Sequence, residues 1–255
     1  MDISIFYKKK YNQIKTLSKN FKIVKNGKIC VAIGGDGTFI HAIKKYSCPI
    51  LMIRDNDPSS TGYYADIGID KLDIAVKKLL SDNYKVENIG KKLELSHKGK
   101  KFYAVNEAAI INKLGEISFK LYQIKNGKRK TLYPFVMSGD GAIITSQVGS
   151  TAYNRSAGGP IILDDKVMCI TFLNPDGPYK NSMIVSSEDI IEIEIVKYSG
   201  YLRYDGIQVS EIGPGDIVRV KYSEKDIRIV KLDGIEEDFG DKLKRIMEKK
   251  LKKVK

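Results

Sequence analysis

Cysteine, histidine and long apolar runs are all scarce in this chain. Its 255 residues hold three cysteines (Cys30, Cys48 and Cys169) and no Cys-x-x-Cys pair. That spacing excludes a zinc or disulfide framework and points to a reducing, cytoplasmic setting. No window approaches the roughly 18 uninterrupted apolar residues of a membrane span, so no membrane partner is expected. The opening Met1-Asp2-Ile3-Ser4-Ile5-Phe6-Tyr7 has an acid where a signal peptide has bases, and no cleavage site follows. Low-complexity stretches are missing too. With 42% hydrophobic residues, the length suits one large domain or two modest ones.

Charge is plentiful but unevenly placed. The net charge is +13, and between 242 and 255 eight basic residues face Glu248 alone, so +7 of it lies in one terminal segment. Leu243, Ile246, Met247, Leu251 and Val254 recur there at helical spacing. A docked helix with a solvated lysine face is the expectation, and no nucleic-acid partner. A basic surface still attracts polyanionic substrates such as nucleotides.

The first third alternates strand and helix signals. Residues 3–7, 29–33 and 50–53 read as buried strands. Helices are expected through Tyr11, Ile14 and Leu17, through Phe39, Ile40, Ile43 and Tyr46, and through Leu72, Val76, Leu79 and Leu80. Such alternation predicts a parallel sheet with helices on its faces. After about Gly90 the signals become short and β-branched, at 102–111, 117–124, 142–145, 168–173, 190–196, 201–204, 217–222 and 227–231. Ile191-Glu192-Ile193-Glu194-Ile195 is the clearest alternation, predicting one buried and one wet face. The fold class is therefore α/β. An α/β domain with a parallel sheet is expected at 1–90, and an all-β, sandwich-like domain at 91–235. A helix at 236–255 closes the chain.

Two glycine-rich blocks carry the chemistry. Gly34-Gly35-Asp36-Gly37-Thr38 follows the apolar run Ile29-Cys30-Val31-Ala32-Ile33. Glycines after a buried strand let the backbone approach a ligand, and N–H groups opening a helix favour phosphate oxygens. The turn lacks the Gly-Lys-Ser/Thr ending of a Walker loop and the Gly-x-Gly-x-x-Gly of a dinucleotide turn. A carboxylate beside phosphates is unfavourable unless it handles a proton, a metal or a hydroxyl, so Asp36 reads as a chemical group. The alternative is Asp36 capping the helix with its side chain. His41, one helical turn beyond, is in reach of a phosphate or merely accommodated.

The second block runs from Gly139-Asp140-Gly141 through Gly149-Ser150-Thr151-Ala152-Tyr153 to Ser156-Ala157-Gly158-Gly159-Pro160. Small hydroxyls and backbone donors suit a sugar–phosphate, with Tyr153 able to stack on a base; a plain Gly/Ser-rich loop is the alternative. Between the blocks, Asn106-Glu107 interrupts the apolar Ala104-Val105 and Ala108-Ala109-Ile110-Ile111. Buried polar groups need partners, and a ribose diol or adenine edge supplies them; an edge strand or bulge with Glu107 in water is the other reading. His97 reads as a surface turn. Asp205 alone reads as an ordinary hairpin turn residue.

Taken in order, the blocks resemble the NAD kinase family. Its Gly-Gly-Asp-Gly-Thr turn, Asn-Glu dipeptide, Asp-Gly…Gly-Ser-Thr-Ala-Tyr-Asn-x-Ser-Ala-Gly-Gly-Pro stretch and late Asp-Gly stand here at 34–38, 106–107, 140–141 with 149–160, and 205–206. The resemblance implies phosphorylation of the adenosine ribose 2′-hydroxyl of NAD to give NADP. It also implies ATP or polyphosphate as donor, Mg²⁺, and a homodimer or homotetramer. The final helix would return to the first domain. Asp36 would take the hydroxyl proton. Gly35, Gly37, Thr38 and His41 would line the nucleotide. Asn106 and Glu107 would bind adenosine, and Asp140, Thr151, Ala152, Tyr153, Asn154 and Ser156 would make further NAD contacts, some across a subunit boundary. Asp205 resembles a late acidic contact, with Gln208 beside it, and no residue is assigned as a metal ligand. Residues 54–66 depart from the family's Asn…Gly-x-Leu-Gly-Phe run. The alternatives are a lipid kinase sharing the first turn, a non-catalytic NAD(P) sensor on the same scaffold, and a polyanion-binding protein.

Overall fold

The computed structural model describes residues 1–254 apart from 10, 58–61, 178–180 and 236. The chain forms two compact units, Met1–Ile89 with Ile227–Lys255, and Gly90–Asp226. The return to the first unit thus begins at Ile227, earlier than the expected 236.

In the first unit, Asp2–Tyr7, Lys22–Ile23, Ile29–Gly34, Ile50–Arg54 and Ile67–Gly68 form a parallel sheet. Ile29–Gly34 lies inside it, with Ile3 facing Ile29 on one side and Cys30 facing Ile50 on the other. Every residue of that strand is buried, as an unbroken apolar run between two helical layers must be. The end of the long strand Ile217–Leu232 joins through Ile229 beside Ile50. Helix Leu72–Leu80 buries Leu72, Ala75, Val76 and Leu79, one helical stripe. Helix Phe239–Val254 closes the unit. Of its expected apolar stripe, Ile246 is buried, Leu243 half-buried and Met247 exposed, while the side chains of Leu251 and Val254 lie outside those described.

The second unit is a sandwich of antiparallel sheets. One runs in the order Met183–Ser186, Val167–Leu173, Gly141–Thr145, Glu107–Asn112, Gly200–Tyr204, Ile207–Ile212. The other is built on Ile117–Lys125, Ile190–Lys197 and the first part of Ile217–Leu232. Their inward faces share a core that includes Ile110, Phe119, Ile144, Ile170, Ile193 and Val220.

Four local expectations need correction. The run 102–111 is two strands, Lys100–Ala104 and Glu107–Asn112, while 217–222 and 227–231 are one. Glu192 is not on a wet face: it is 1% exposed, held by Arg129 Nε and Arg219 Nε at 2.7 Å each, so two neighbouring cations neutralise it. His97 is no surface turn. It is the last residue of strand Tyr84–His97, 3% exposed, with Nδ1 3.0 Å from Ser210 Oγ; the turn falls on Lys98 and Gly99, both at positive φ. All three cysteines are free thiols, with burial pushing Cys30 up to about 12. No described helix is long and apolar enough to cross a membrane.

Candidate active site

The first unit presents its glycine turn at the carboxyl end of strand Ile29–Gly34, where open α/β sheets bind ligands. Gly34 sits at φ 149°, and a Cβ there would strike the Thr38 hydroxyl. Gly35, not Asp36, is the N-cap of helix Asp36–Lys45. Its carbonyl accepts the N–H groups of Thr38 (2.8 Å) and Phe39 (3.2 Å). The helix docks through Thr38, Phe39, Ala42 and Ile43 and ends on Lys44 and Lys45, which suit its negative pole. Asp36 is half-buried on the first turn, and its Oδ1 accepts the Tyr64 N–H at 3.3 Å. Tyr64 is held by stacking on Phe39, with ring centroids 4.1 Å apart. Gly37 and His41 are exposed and one helical turn apart, so they share a face.

Several residues outside the glycine motif also stand here. Lys8 follows the neighbouring strand, and its Nζ lies 3.9 Å from where a Cβ on Gly37 would stand. The signal was the lysine run after residue 7. Asp55 donates its N–H to Gly34 O at 3.3 Å, and its carboxylate accepts the Tyr11 hydroxyl at 3.0 Å. Burial, reinforced by that bond, pushes the Tyr11 hydroxyl up to about 12. Tyr64 lay in the 54–66 segment, of which 58–61 fall outside the described residues.

In the second unit Glu107 is 5% exposed and opens an interior strand, paired with Thr145 on one side, so the edge-strand reading fails. Asn106, half-buried just before it, is fixed from several directions. Asp205 accepts its N–H at 2.7 Å and that of Val105 at 3.0 Å. The Thr145 hydroxyl donates to the Asn106 carbonyl at 2.8 Å. Gly149 lies flat on that same carbonyl, where any Cβ would overlap it. Asp205, at φ 47°, and Gly206, at φ 75°, form the tight turn between Gly200–Tyr204 and Ile207–Ile212. The reading of Asp205 as only a hairpin residue is incomplete: its carboxylate ties that turn to Asn106.

The 149–160 block is a folded loop rather than a slack one. Asn154, 0% exposed, donates to the carbonyls of Ser150 (3.2 Å) and Pro160 (2.8 Å) and accepts from Thr171 Oγ1 (2.7 Å). Its amide is engaged in shaping the loop. Thr151 and Ala152 are half-buried, Tyr153 and Ser156 exposed, and the Ser156 hydroxyl points to Ala152 O at 3.4 Å. Gln208 is exposed near Arg203. Asp140 is not brought to Asn106. It precedes Gly141, at the far end of a strand whose Thr145 faces Glu107, a separation of about 15 Å. There it accepts the Asn112 amide at 2.9 Å. Among the described residues no group of three or more His, Cys, Asp or Glu is placed to hold a metal ion.

The ATP-NAD kinase C-terminal domain family matches residues 105–232. The NAD kinase of Thermoplasma volcanium is 30% identical over 208 residues, covering 79% of this chain and 73% of its own. That of Sulfurimonas denitrificans is 27% identical over 216 residues, covering 82% and 74%. In fold the chain is similar to an NAD kinase from Archaeoglobus fulgidus solved in complex with ATP, with TM-score 0.76 and 20% identity over 96% of this chain and 99% of that one.

Proposed function

The chain belongs to the NAD kinase family and phosphorylates NAD to NADP; we propose that it acts on the adenosine ribose 2′-hydroxyl, with ATP as donor and Asp36 as base. The observation that carries this reading is the placement of Asp36. It sits where a parallel strand hands over to a helix, half-buried and oriented by a backbone donor. In the step, the 2′-oxygen bonds to the γ-phosphorus and gives its proton to Asp36. The bond between the γ-phosphorus and the bridging oxygen breaks, and ADP leaves. Such transfer depends on in-line positioning and charge neutralisation, which the turn's N–H groups, Lys8 and His41 would supply.

Mg²⁺ fits as an ion carried by the ATP phosphates. Such an ion keeps several of its waters and takes most of its other ligands from the phosphates, so no dedicated protein cage is required. When bound it would neutralise the transferring group. Asn106 and Glu107 are assigned to adenosine, with Thr151, Ala152, Tyr153 and Ser156 as further contacts, Gln208 beside them, and Asn154 and Asp205 shaping the backbone. The distance between Asp140 and Asn106 supports a homo-oligomer in which Asp140 serves a neighbouring copy. Three free thiols support a cytoplasmic setting. A lipid kinase has no part for Asn106-Glu107 or the 149–160 loop, and a non-catalytic sensor has no need of Asp36.

The test incubates purified protein with NAD, Mg²⁺ and either ATP or polyphosphate, and reads NADP with an NADP-specific dehydrogenase. NADP from ATP supports the proposal; NADP from polyphosphate alone overturns the donor; no NADP from either, with NAD bound, favours the sensor.

A further inference from the structure

The basic C-terminal helix does more than present lysines to water. Arg245 donates Nη2 to the carbonyl of Gly62 at 3.1 Å, while its fork grips Glu237 at 2.8 and 2.7 Å. Lys242, buried, reaches Asp66 Oδ1 at 2.7 Å, and Lys231 meets the other oxygen of the same carboxylate. Gly62 opens a short turn, its carbonyl also accepting the Ala65 N–H at 3.3 Å, and Asp66 follows directly after it. Gly62 itself stands at φ 63° with the Arg54 stem against its Cα, so a side chain there would collide. At the centre of the turn is Tyr64, stacked on Phe39 and donating its N–H to Asp36.

We propose that Lys242 and Arg245 are positioning residues for the phosphoryl transfer: by pinning Gly62 and Asp66 they hold the Tyr64 N–H on Asp36 and so fix the orientation of the base. This deepens the reading of Asp36 given above and rests on it. The physical reason is rotational. A donor fixed on one carboxylate oxygen narrows the directions in which the other is presented, and losing that donor widens them. Small misplacements of a catalytic group are costly, up to about 100-fold for 1 Å, and fall on turnover more than on binding.

The experiment compares Lys242→Met, Arg245→Met and the double variant with the parent protein. The expected result is a kcat lower by roughly 10–100-fold with KM for NAD within about twofold. Arg245→Lys keeps charge and stem but not the fork, so it is expected to lose turnover too. It replaces Arg245→Met if that protein does not fold.

The second readout needs no activity. In protein labelled with ¹⁵N-tyrosine, the Tyr64 amide signal is identified by its loss in Tyr64→Phe. Asp36→Asn is expected to shift that signal in the parent background and to leave it unmoved when Lys242 and Arg245 are both replaced. Full kcat in the variants, or a Tyr64 signal indifferent to Asp36→Asn in the parent, overturns the proposal. If the parent makes no NADP yet the Tyr64 signal responds as described, the assigned reaction fails while the pinning stands.

Discussion

Asp205 Oδ1 accepts the backbone N–H of Asn106 at 2.7 Å, across 99 residues of sequence. Together with its bond to Val105, this takes two N–H groups that a continuous strand would have given to its ladder. The break turns Asn106-Glu107 into a fixed corner. Asp205→Ala is expected to leave both donors unsatisfied, costing about 1–3 kcal/mol of stability. KM for NAD is expected to rise by about tenfold, equivalent to about 1.4 kcal/mol. Urea unfolding and steady-state kinetics on the same protein check both; an unchanged KM would remove Asp205 from positioning.

Replacing Asp36 by Asn keeps shape and removes the base. A positioned general base contributes about 10²–10⁴-fold, so kcat is expected to fall at least 100-fold. Calorimetry is expected to show NAD still binding. Turnover close to the parent's sinks the assigned role.

Gly149 offers a steric test. Its Cα lies against the Asn106 carbonyl, which also receives the Thr145 hydroxyl, so Gly149→Ala forces backbone apart. A loss of about 1–3 kcal/mol, in the range of overpacking, is expected in thermal melts, together with weaker NAD binding. Thr145→Val, which deletes a hydroxyl shared between the Asn106 and Ser146 carbonyls, is expected to cost only about 1 kcal/mol.

Asp216 sets a pH dependence. Burial pushes its carboxyl up, but the Lys98 ammonium and the Gly213 N–H outweigh burial and hold it below its ordinary value, with His97 adding to them. A carboxyl held down in the fold stabilises above its unfolded value and loses that contribution as pH falls through the folded one. Asp216→Asn is therefore expected to be less stable than the parent from neutral pH down to about 4, the gap closing below that. Urea midpoints at several pH values measure it; a gap that persists at the acid end contradicts the argument.

Much of the layout was legible because it rests on local patterns. The buried run 29–33, the glycines after it and the stripe through Phe39 and Ile43 name a strand, a turn and a helix without help from elsewhere. Two polar residues between apolar neighbours likewise marked Asn106 and Glu107. What stayed hidden depends on partners distant in sequence. Alternation put Glu192 in water because it carries no information about arginines on other strands of the same sheet. His97 looked like a turn residue because Ser210, which meets its ring, lies 113 positions away. The Asn154 amide's bond to Thr171, on strand Val167–Leu173 17 positions away, is likewise invisible in the local pattern.

The two units differ in how their chain is supplied. Gly90–Asp226 is one unbroken stretch, whereas the other unit needs both the opening residues and those from Ile227 onward. On a ribosome, which releases the amino end first, the central sandwich has all its parts while the glycine-turn unit still waits for its last strand and helix. The usual order of maturation is reversed, and Asp36 meets the helix that reaches Gly62 and Asp66 only after the whole central unit has been made.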